Sequence, residues 1–420
     1  MKVLFITYYW PPSGKASLHW PLDIMTHLQE FGWQPFVLTT KDETFTAKDE
    51  SLLRKVNPEW KVIKAKAIEP FNLYKKFIGK KPEEALVASE TISLKNKSLA
   101  HKISVWIRMN LFVPDARVGW YFPAVKEARR FLSEQKVDAI ISIGPPHTTH
   151  LVAKKLSNDF VIPFFPVFID PWVDISYYRN FKRSKLTLAI DNHFEKSVLE
   201  KATKVIFITE SMKEDYIKKY PQIKDKSYVL YWGYNEDDFK NIPPNSSSEK
   251  EDIEKVIVHA GNIFDYQNPE TLWKETKRRI DSGEKFRIKF LGTVSPLIKQ
   301  SIKENGLDSI TEYKGFLPYH KMLEELFKAD FLLVCATEKR HVPGKLFEYL
   351  RAGKPIIAFG NDNDEVKNIL EETKSGLLFR YDEEVKEFFN KDFGLTNLSF
   401  AIKKFDREKI AEGLSHIIKH

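Results

Sequence analysis

Residues 3–17 read VLFITYYWPPSGKAS, and residues 256–272 read VIVHAGNIFDYQNPETL. Each is a short apolar run, then a glycine-containing turn, then the start of a helical stretch. A strand leading through such a turn into a helix is the opening of a βαβ unit. The same opening twice in one chain points to two domains of one style. Outward from these two points the alternation continues. Residues 34–40 (QPFVLTT), 60–65 (WKVIKA), 138–144 (DAIISIG), 164–170 (FFPVFID) and 204–210 (KVIFITE) read as further strands of the first half. Residues 286–292 (FRIKFLG), 310–316 (ITEYKGF), 331–337 (FLLVCAT) and 355–360 (PIIAFG) do so in the second. Amphipathic segments such as 17–32, 122–135, 320–329 and 345–353 lie between them. Near-continuous apolar strands suit parallel sheets covered on both faces. The fold class is therefore α/β, with two doubly wound, Rossmann-like domains facing across a cleft and ligands at the carboxyl ends of the strands.

The length of 420 residues exceeds what one core usually serves. The break is expected within 220–255, which carries paired prolines, a serine run and dense charge. Domains of 1–222 and 223–404 follow, with a C-terminal helix at 405–420 completing the first and a hinge near 222–230. Hydrophobic residues make up 42% and charged residues 30%, a globular composition. No apolar run approaches the ~20 residues of a membrane span. The N-terminus reads as a first buried strand rather than a signal peptide, so a cytoplasmic location is expected. The single cysteine, Cys335, excludes an internal disulfide and a cysteine-based zinc cluster. It lies in a strand core and is not expected to be a nucleophile.

The net charge of +8 is unevenly placed. Residues 61–130 hold fifteen Lys/Arg against six Asp/Glu, interleaved with Phe71, Tyr74, Phe77, Trp106 and Phe112, with Trp60 just before. A solvated basic face, an anionic membrane surface or lipid-phosphate acceptor, and nucleic acid all attract such a segment. No zinc-finger spacing or RNA-recognition signature supports the last, and no nucleic-acid partner is expected.

Four constellations carry chemistry. Pro11-Pro12-Ser13-Gly14-Lys15 follows the first strand, where backbone amides approach an anion or simply make a tight turn. Residues 142–150, SIGPPHTTH, place His147 and His150 at a strand's carboxyl end, one helical turn apart. They read as a substrate-facing loop; a zinc pair would lack a third ligand. Asp170-Pro171-Trp172 offers a carboxylate for sugar hydroxyls and a ring for a pyranose face, or else a turn with a core tryptophan. The strongest is 342–357, VPGKLFEYLRAGKPII. Pro343-Gly344 frees helix N-terminal amides for a diphosphate. Lys345 in the first turn opposes the helix dipole unless a phosphate binds there. Glu348, three residues on, faces the same side and suits a ribose diol.

With these residues in hand, the chain resembles retaining glycosyltransferase family 4, in its bacterial surface-polysaccharide branch. The resemblance spans nearly the whole length. It takes in PPSG, 114–124 (PDARVGWYFPA), 142–153, the Asp170-Pro171-Trp172 triplet, 201–212, 231–239 (YWGYNEDDF), 259–264 with 268–272, 290–295, 315–334 and the PGK run. It implies a nucleotide-sugar donor, with a UDP-sugar expected, and a glycan or polyprenyl-linked acceptor. It implies no cofactor and no metal, and peripheral association with the inner face of the plasma membrane. Gly14 with Lys15 and Gly344 with Lys345 would face the diphosphate, Phe316 and Leu317 would flank the base, and Glu348 would hold the ribose. His150, with His147, Asp170 and Lys345, would serve the chemistry. The family's first glutamate falls on Arg340, with Glu338 close by. Where many members carry Arg and Lys, this chain has Asn262 and Asn268. Asp362-Asn363-Asp364 imitates a metal motif but reads as a solvated turn. The alternatives are a non-catalytic nucleotide-sugar or partner-binding protein, and an epimerase or phosphorylase of the same fold.

Overall fold

The computed structural model describes residues 1–45, 48–68, 99–175, 178, 181–240, 242, 254–336, 339–395 and 398–419. The chain divides into two compact units, 1–231 with 411–420 and 232–410.

The first unit is built on a seven-stranded, wholly parallel sheet. Its strands are β1 (Lys2–Ile6), β2 (Gln34–Thr40), β3 (Lys61–Ala65), β4 (Ala139–Gly144), β5 (Phe164–Phe168), β6 (Val205–Phe207) and β7 (Ser227–Val229). Their order is β3-β2-β1-β4-β5-β6-β7. The interior strands β4 and β5 are buried along their whole length, while β3 and β7 at the edges are half-buried. The longer helices are α1 (His19–Glu30), α2 (Leu99–Leu111), α3 (Tyr121–Glu134), α4 (Thr148–Phe160), α5 (Lys185–Lys201) and α6 (Glu210–Lys219). In α1, Trp20, Leu22, Ile24, Met25 and Leu28 form the buried side, and Gly32 at φ +81° stops the helix.

The second unit repeats the plan with six parallel strands. They are β8 (Glu254–Ala260), β9 (Lys285–Leu291), β10 (Thr311–Tyr313), β11 (Phe331–Cys335), β12 (Ile356–Phe359) and β13 (Gly376–Phe379), in the order β10-β9-β8-β11-β12-β13. Helices α7 (Glu270–Asp281), α8 (Pro296–Glu304), α9 (Tyr319–Phe327), α10 (Lys345–Ala352) and α11 (Asp364–Thr373) connect them. The final helix α12 (Arg407–Lys419) runs from the second unit into the first. There its serine Ser415 accepts from Trp33 Nε1 at 3.1 Å, and Ile417 O accepts from Lys204 Nζ at 3.0 Å.

Two short strands escape a reading by apolar pattern. Residues 222–230, expected as a hinge, hold a helical turn, Pro221–Lys226, and then β7, which pairs with β6. The boundary between the units therefore falls after this strand. β13, with the sequence GLLF, is too brief to stand out between charged flanks. In each sheet the order reverses direction once, between β1 and β4 and between β8 and β11. Such switch points leave a crevice at the carboxyl ends of the strands.

Candidate functional sites at the two switch points

In the second unit, β8 ends in His259-Ala260-Gly261 and β11 leads towards α10. Lys345, the first residue of α10, is half-buried and turns its ammonium onto His259, with Nζ 3.3 Å from Nε2. His259 Nδ1 lies 2.9 Å from Leu333 O. A carbonyl only accepts, so Nδ1 carries the proton and Nε2 offers its lone pair to the ammonium. Burial, with Lys345 beside it, holds the His259 imidazole well below its usual range, so it stays neutral. Burial also pulls the Lys345 ammonium down to about 8, against the opposing pull of Cys335 and Glu348. A Cβ on Gly261, at φ +92°, would come within 3.0 Å of Lys345 Nζ. Glycine there keeps the lysine in place. Gly344 is held equally close: a Cβ would stand 2.8 Å from Trp232 Nε1.

Glu348 is 8% exposed on the next turn of α10. Its Oε1 accepts from Tyr319 Oη at 3.3 Å, whereas Oε2 is buried without a hydrogen-bond partner. Burial pushes its carboxyl up to about 7, with Arg407 opposing. Tyr319 opens α9 directly after residues 315–318, in which Leu317 is half-buried and Phe316 is 91% exposed. Helix α10 thus offers an ammonium and, one turn on, a carboxylate with one vacant oxygen.

The two asparagines at the expected basic positions hold backbone and side chain in place. Asn262 Oδ1 accepts from Thr293 N at 3.1 Å, and Asn268 Oδ1 accepts from Trp273 Nε1 at 2.8 Å. Arg340 is half-buried and engaged with its surroundings; Glu338 lies outside the described residues. Asn363 caps α11, accepting from Val366 N at 3.0 Å, and Asp362 pairs with Arg380 at 2.7 Å. Among the described residues no group of three or more His, Cys, Asp or Glu gathers as a metal site. Burial pushes the Cys335 thiol up to about 12, which suits a core residue.

In the first unit the loop after β1 places Gly14 and Lys15 at the surface, with Lys15 Nζ 5.6 Å from the centre of the Tyr9 ring. The turn beneath them is pinned by Ser13 N to Trp10 O at 2.9 Å and Asp49 N to Pro12 O at 2.7 Å. Across the switch point, β4 runs into Gly144-Pro145-Pro146-His147 and then α4. His150 is fully buried and its Nδ1 lies 2.7 Å from Ser142 Oγ. His150 Nε2 and both ring nitrogens of His147 are buried without a hydrogen-bond partner. A Cβ on Gly144 would stand 2.5 Å from His150 Nε2 and 2.9 Å from His147 Nδ1, so only glycine admits both rings over the strand end. Burial lowers His147 to about 3, opposed slightly by the Pro171 backbone, and drives His150 well below its usual range. Two neutral imidazoles are poor general bases at neutral pH but good partners for hydroxyl groups.

The Trp172 ring is not presented to a sugar. It is 1% exposed, His147 stacks on it at 4.8 Å and 5°, and its Nε1 donates to Asp191 at 2.7 Å. Burying that large ring against the histidine outweighs leaving it in water. Asp170 is half-buried beyond β5. Residues that apolar pattern and local spacing do not single out complete this site. Asp115 accepts from Thr148 N and Thr148 Oγ1, each at 2.9 Å, and so anchors the start of α4. Asp191 holds both Trp172 and Arg183.

No curated protein matches the chain. Residues 254–391 match the family described as Glycosyl transferases group 1, a stretch that includes His259, Asn262, Phe316, Lys345 and Glu348. Solved structures match over the full length. HepE of Anabaena, in complex with UDP and glucose, is 14% identical with a TM-score of 0.63, covering 100% of this chain and 99% of its own. Sucrose-phosphate synthase of Thermosynechococcus elongatus is 14% identical with a TM-score of 0.62, covering 100% and 98%. The lipopolysaccharide outer core galactosyltransferase WaaB is 13% identical with a TM-score of 0.61, covering 100% and 99%. At this identity the likeness is one of fold. The chain thus has the GT-B fold of two parallel-sheet α/β domains, and together with the group 1 stretch these matches support a GT-B glycosyltransferase.

Proposed function

We propose that this chain is a retaining glycosyltransferase of family 4 that transfers a hexosyl group from a UDP-sugar to a glycan or lipid-linked acceptor in surface polysaccharide synthesis. The observation that carries the proposal is the pair on α10. A buried ammonium in the first turn of a helix is unfavourable beside the dipole unless an anion joins it. The diphosphate is that anion, and Lys345 with the amides of 343–345 stabilises the charge that gathers on the leaving group. Glu348, with a vacant buried oxygen, accepts the ribose hydroxyls, and Phe316 and Leu317 flank the base. HepE was solved with UDP and glucose, which supports the choice of uridine. The neutral His150 and His147, with Asp170, orient the acceptor hydroxyl rather than remove its proton. Charge on the diphosphate is met by Lys345 and Arg340, with no metal or cofactor.

A cytoplasmic protein held at the inner face of the plasma membrane fits this reading. Ile103, Trp106 and Leu111 on α2 are exposed, as is Phe122, within the basic stretch 61–130. Among the described residues no helix is long and apolar enough to cross a membrane. Trp60 belongs instead to the core, and Phe71, Tyr74 and Phe77 lie outside the described residues.

The test is a screen of UDP-, GDP-, ADP- and dTDP-sugars by thermal shift and nucleotide release, with and without EDTA. One nucleotide should raise the melting temperature equally in both conditions. Wild-type transfer rates in both Lys345→Ala and Glu348→Ala would overturn the site. Arg340, standing where the family has a glutamate, favours one second reading, a non-catalytic nucleotide-sugar-binding protein. Donor binding with no turnover on any acceptor would establish that reading instead.

A further inference from the structure

Histidine is an unusual residue inside β8. The strand ends VIVHA, with Ile257, Val258 and Ala260 buried around it, and His259 itself is 1% exposed. A polar ring in such a place is costly unless its nitrogens find partners. One partner is backbone: Nδ1 donates to Leu333 O at 2.9 Å on the neighbouring strand β11. The other is a side chain: Nε2 meets Lys345 Nζ at 3.3 Å. Backbone groups of Leu333 and Asn262 favour a second proton on the ring, but burial and the ammonium beside it outweigh them, and the imidazole stays neutral.

The ammonium on Nε2 has little room. A Cβ on Gly261 would come within 3.0 Å of Lys345 Nζ and 3.5 Å of its Cε. Gly261 is itself fixed: its N donates to Leu291 O at 2.7 Å, and its carbonyl oxygen lies 2.4 Å from where a Cβ on Gly292 would stand. Among the described residues, the titratable groups around the ammonium are His259 from β8, Cys335 from β11 and Glu348 from α10 itself. Burial keeps the Cys335 thiol neutral, and Glu348 gains a proton as the pH falls through about 7. Tyr349 is turned to the strand, its hydroxyl accepting from Ala260 N at 2.7 Å. The His259 lone pair is therefore an acceptor for Lys345 that depends on neither a ligand nor a charge.

We infer that His259 is a positioning residue of the donor site, whose neutral Nε2 holds the Lys345 ammonium in place and keeps its proton on before an anion arrives. An ammonium has three N–H groups; with one given to His259, two remain for phosphate oxygens. The Leu333 carbonyl is essential to this, because it demands the proton on Nδ1; the other tautomer would turn an N–H onto the ammonium. The neutrality of the ring matters equally. A carboxylate at this position would hold the lysine more tightly but would cancel its charge and repel a diphosphate. Asn262 and Asn268 add no charge, so loss of the Lys345 proton would leave the diphosphate to Arg340. This inference rests on the reading of α10 as the diphosphate site, and it names the group that prepares that site.

The experiment reads the Lys345 proton directly. In the full chain, with lysines isotope-labelled at Cε, the Lys345 signal is assigned by its loss in Lys345→Met and titrated by NMR without nucleotide. The midpoint should lie at about 8 in the wild type and at about 7 or below in His259→Leu, which removes the acceptor and leaves the burial. His259→Gln, whose amide reaches the place of Nε2, should return it most of the way. Repeating the comparison in a Glu348→Gln chain keeps the Glu348 proton from imitating the shift. UDP affinity, by calorimetry at about pH 7.5, should fall at least about fivefold in His259→Leu and recover in His259→Gln. An unmoved midpoint in His259→Leu overturns the inference whatever happens to UDP, since a merely structural histidine would weaken binding without touching the lysine's proton; the donor reading would stand if Lys345→Met still lost UDP. A moved midpoint with unchanged UDP affinity overturns the role in the donor site. Failure of UDP to bind the wild type sinks the donor reading, while the midpoint still decides the pairing of His259 with Lys345. Should His259→Leu lose its melting transition, His259→Asn takes its place: it keeps an amide for Leu333 O but is too short to reach the ammonium, so its midpoint should drop where that of His259→Gln does not, and equal midpoints overturn the inference.

Discussion

The two switch points are built alike and charged differently. In the second unit a single helix, α10, supplies both working groups, and they are three residues apart. In the first unit the groups come from four separate segments: β4 with its loop, the stretch after β5, the turn before α5, and α5 itself. One site is specified by local spacing and the other by topology. The physical consequence is that the α10 site should respond to single substitutions sharply, while the first-unit site should respond gradually, because its members brace one another.

The largest effect expected is from Lys345→Met. Removing one preorganised donor to a developing oxyanion costs about 10²–10³ in rate, and the transfer rate measured at saturating donor should fall by that much. Lys345→Arg retains charge without the compact ammonium that fits beside His259, so it should recover only part of the rate. An undiminished rate in Lys345→Met would erase the distinction between the two sites. Next comes Gly261→Ala. Its left-handed backbone, together with the 3.0 Å approach of a Cβ to Lys345 Nζ, should displace the lysine. Donor affinity should fall by roughly tenfold, read by calorimetry. Unchanged affinity would mean that Lys345 is not fixed by its setting.

Much of this was legible before the structure, and the reason differs by region. Lys345 and Glu348 declare themselves because a helix converts a spacing of three into a shared face. The strands β1, β4, β8 and β11 declare themselves because they are buried on both sides and read as unbroken apolar runs. His259 does not, since it acquires its tautomer only when β8 lies beside β11 and Leu333 O comes within reach. Arg183 sits in Phe181-Lys182-Arg183-Ser184-Lys185, which has the composition of a solvated turn. Its burial depends on Asp191, which α5 brings back to it. Trp172 was open between a platform and a core ring, and only the position of His147 decides that.

On the first-unit side, His150→Ala should lower transfer by roughly 10–100-fold through lost acceptor positioning. Ser142→Ala, which removes only the 2.7 Å contact to His150 Nδ1, should lower it less. The readout that separates positioning from general-base catalysis is the pH profile. With both histidines neutral and their protonation disfavoured, neither substitution should move the profile near pH 6–7, as a catalytic imidazole would. Its limbs belong to α10. Donor affinity should decline above about 8, where Lys345 loses its proton, and below about 7, where Glu348 gains one. A limb near pH 6.5 that vanishes in His150→Ala would make the first site the chemical one.

The smallest expected effect concerns stability, and it asks whether α10 is strained for function. The Glu348 carboxyl is raised from 4.5 to about 7 in the folded chain, with burial as the largest cause. The folded state then binds more protons than the unfolded state between those values, so stability falls as pH rises through this window. Above about 7 the full cost of the buried carboxylate is present; below about 4.5 it is absent. Glu348→Gln keeps the shape and removes the charge. The variant without nucleotide should therefore be more stable than the wild type at pH 8, by on the order of 3 kcal/mol, and indistinguishable from it near pH 4. Denaturant unfolding at the two pH values measures this. A gain in stability accompanied by weakened UDP binding would mean that the vacant oxygen of Glu348 is retained for its ligand at the expense of the fold. A loss of stability at pH 8 would mean the opposite: Tyr319 and Arg407 already satisfy the carboxylate, and the second unit's site owes its selectivity to Lys345 alone.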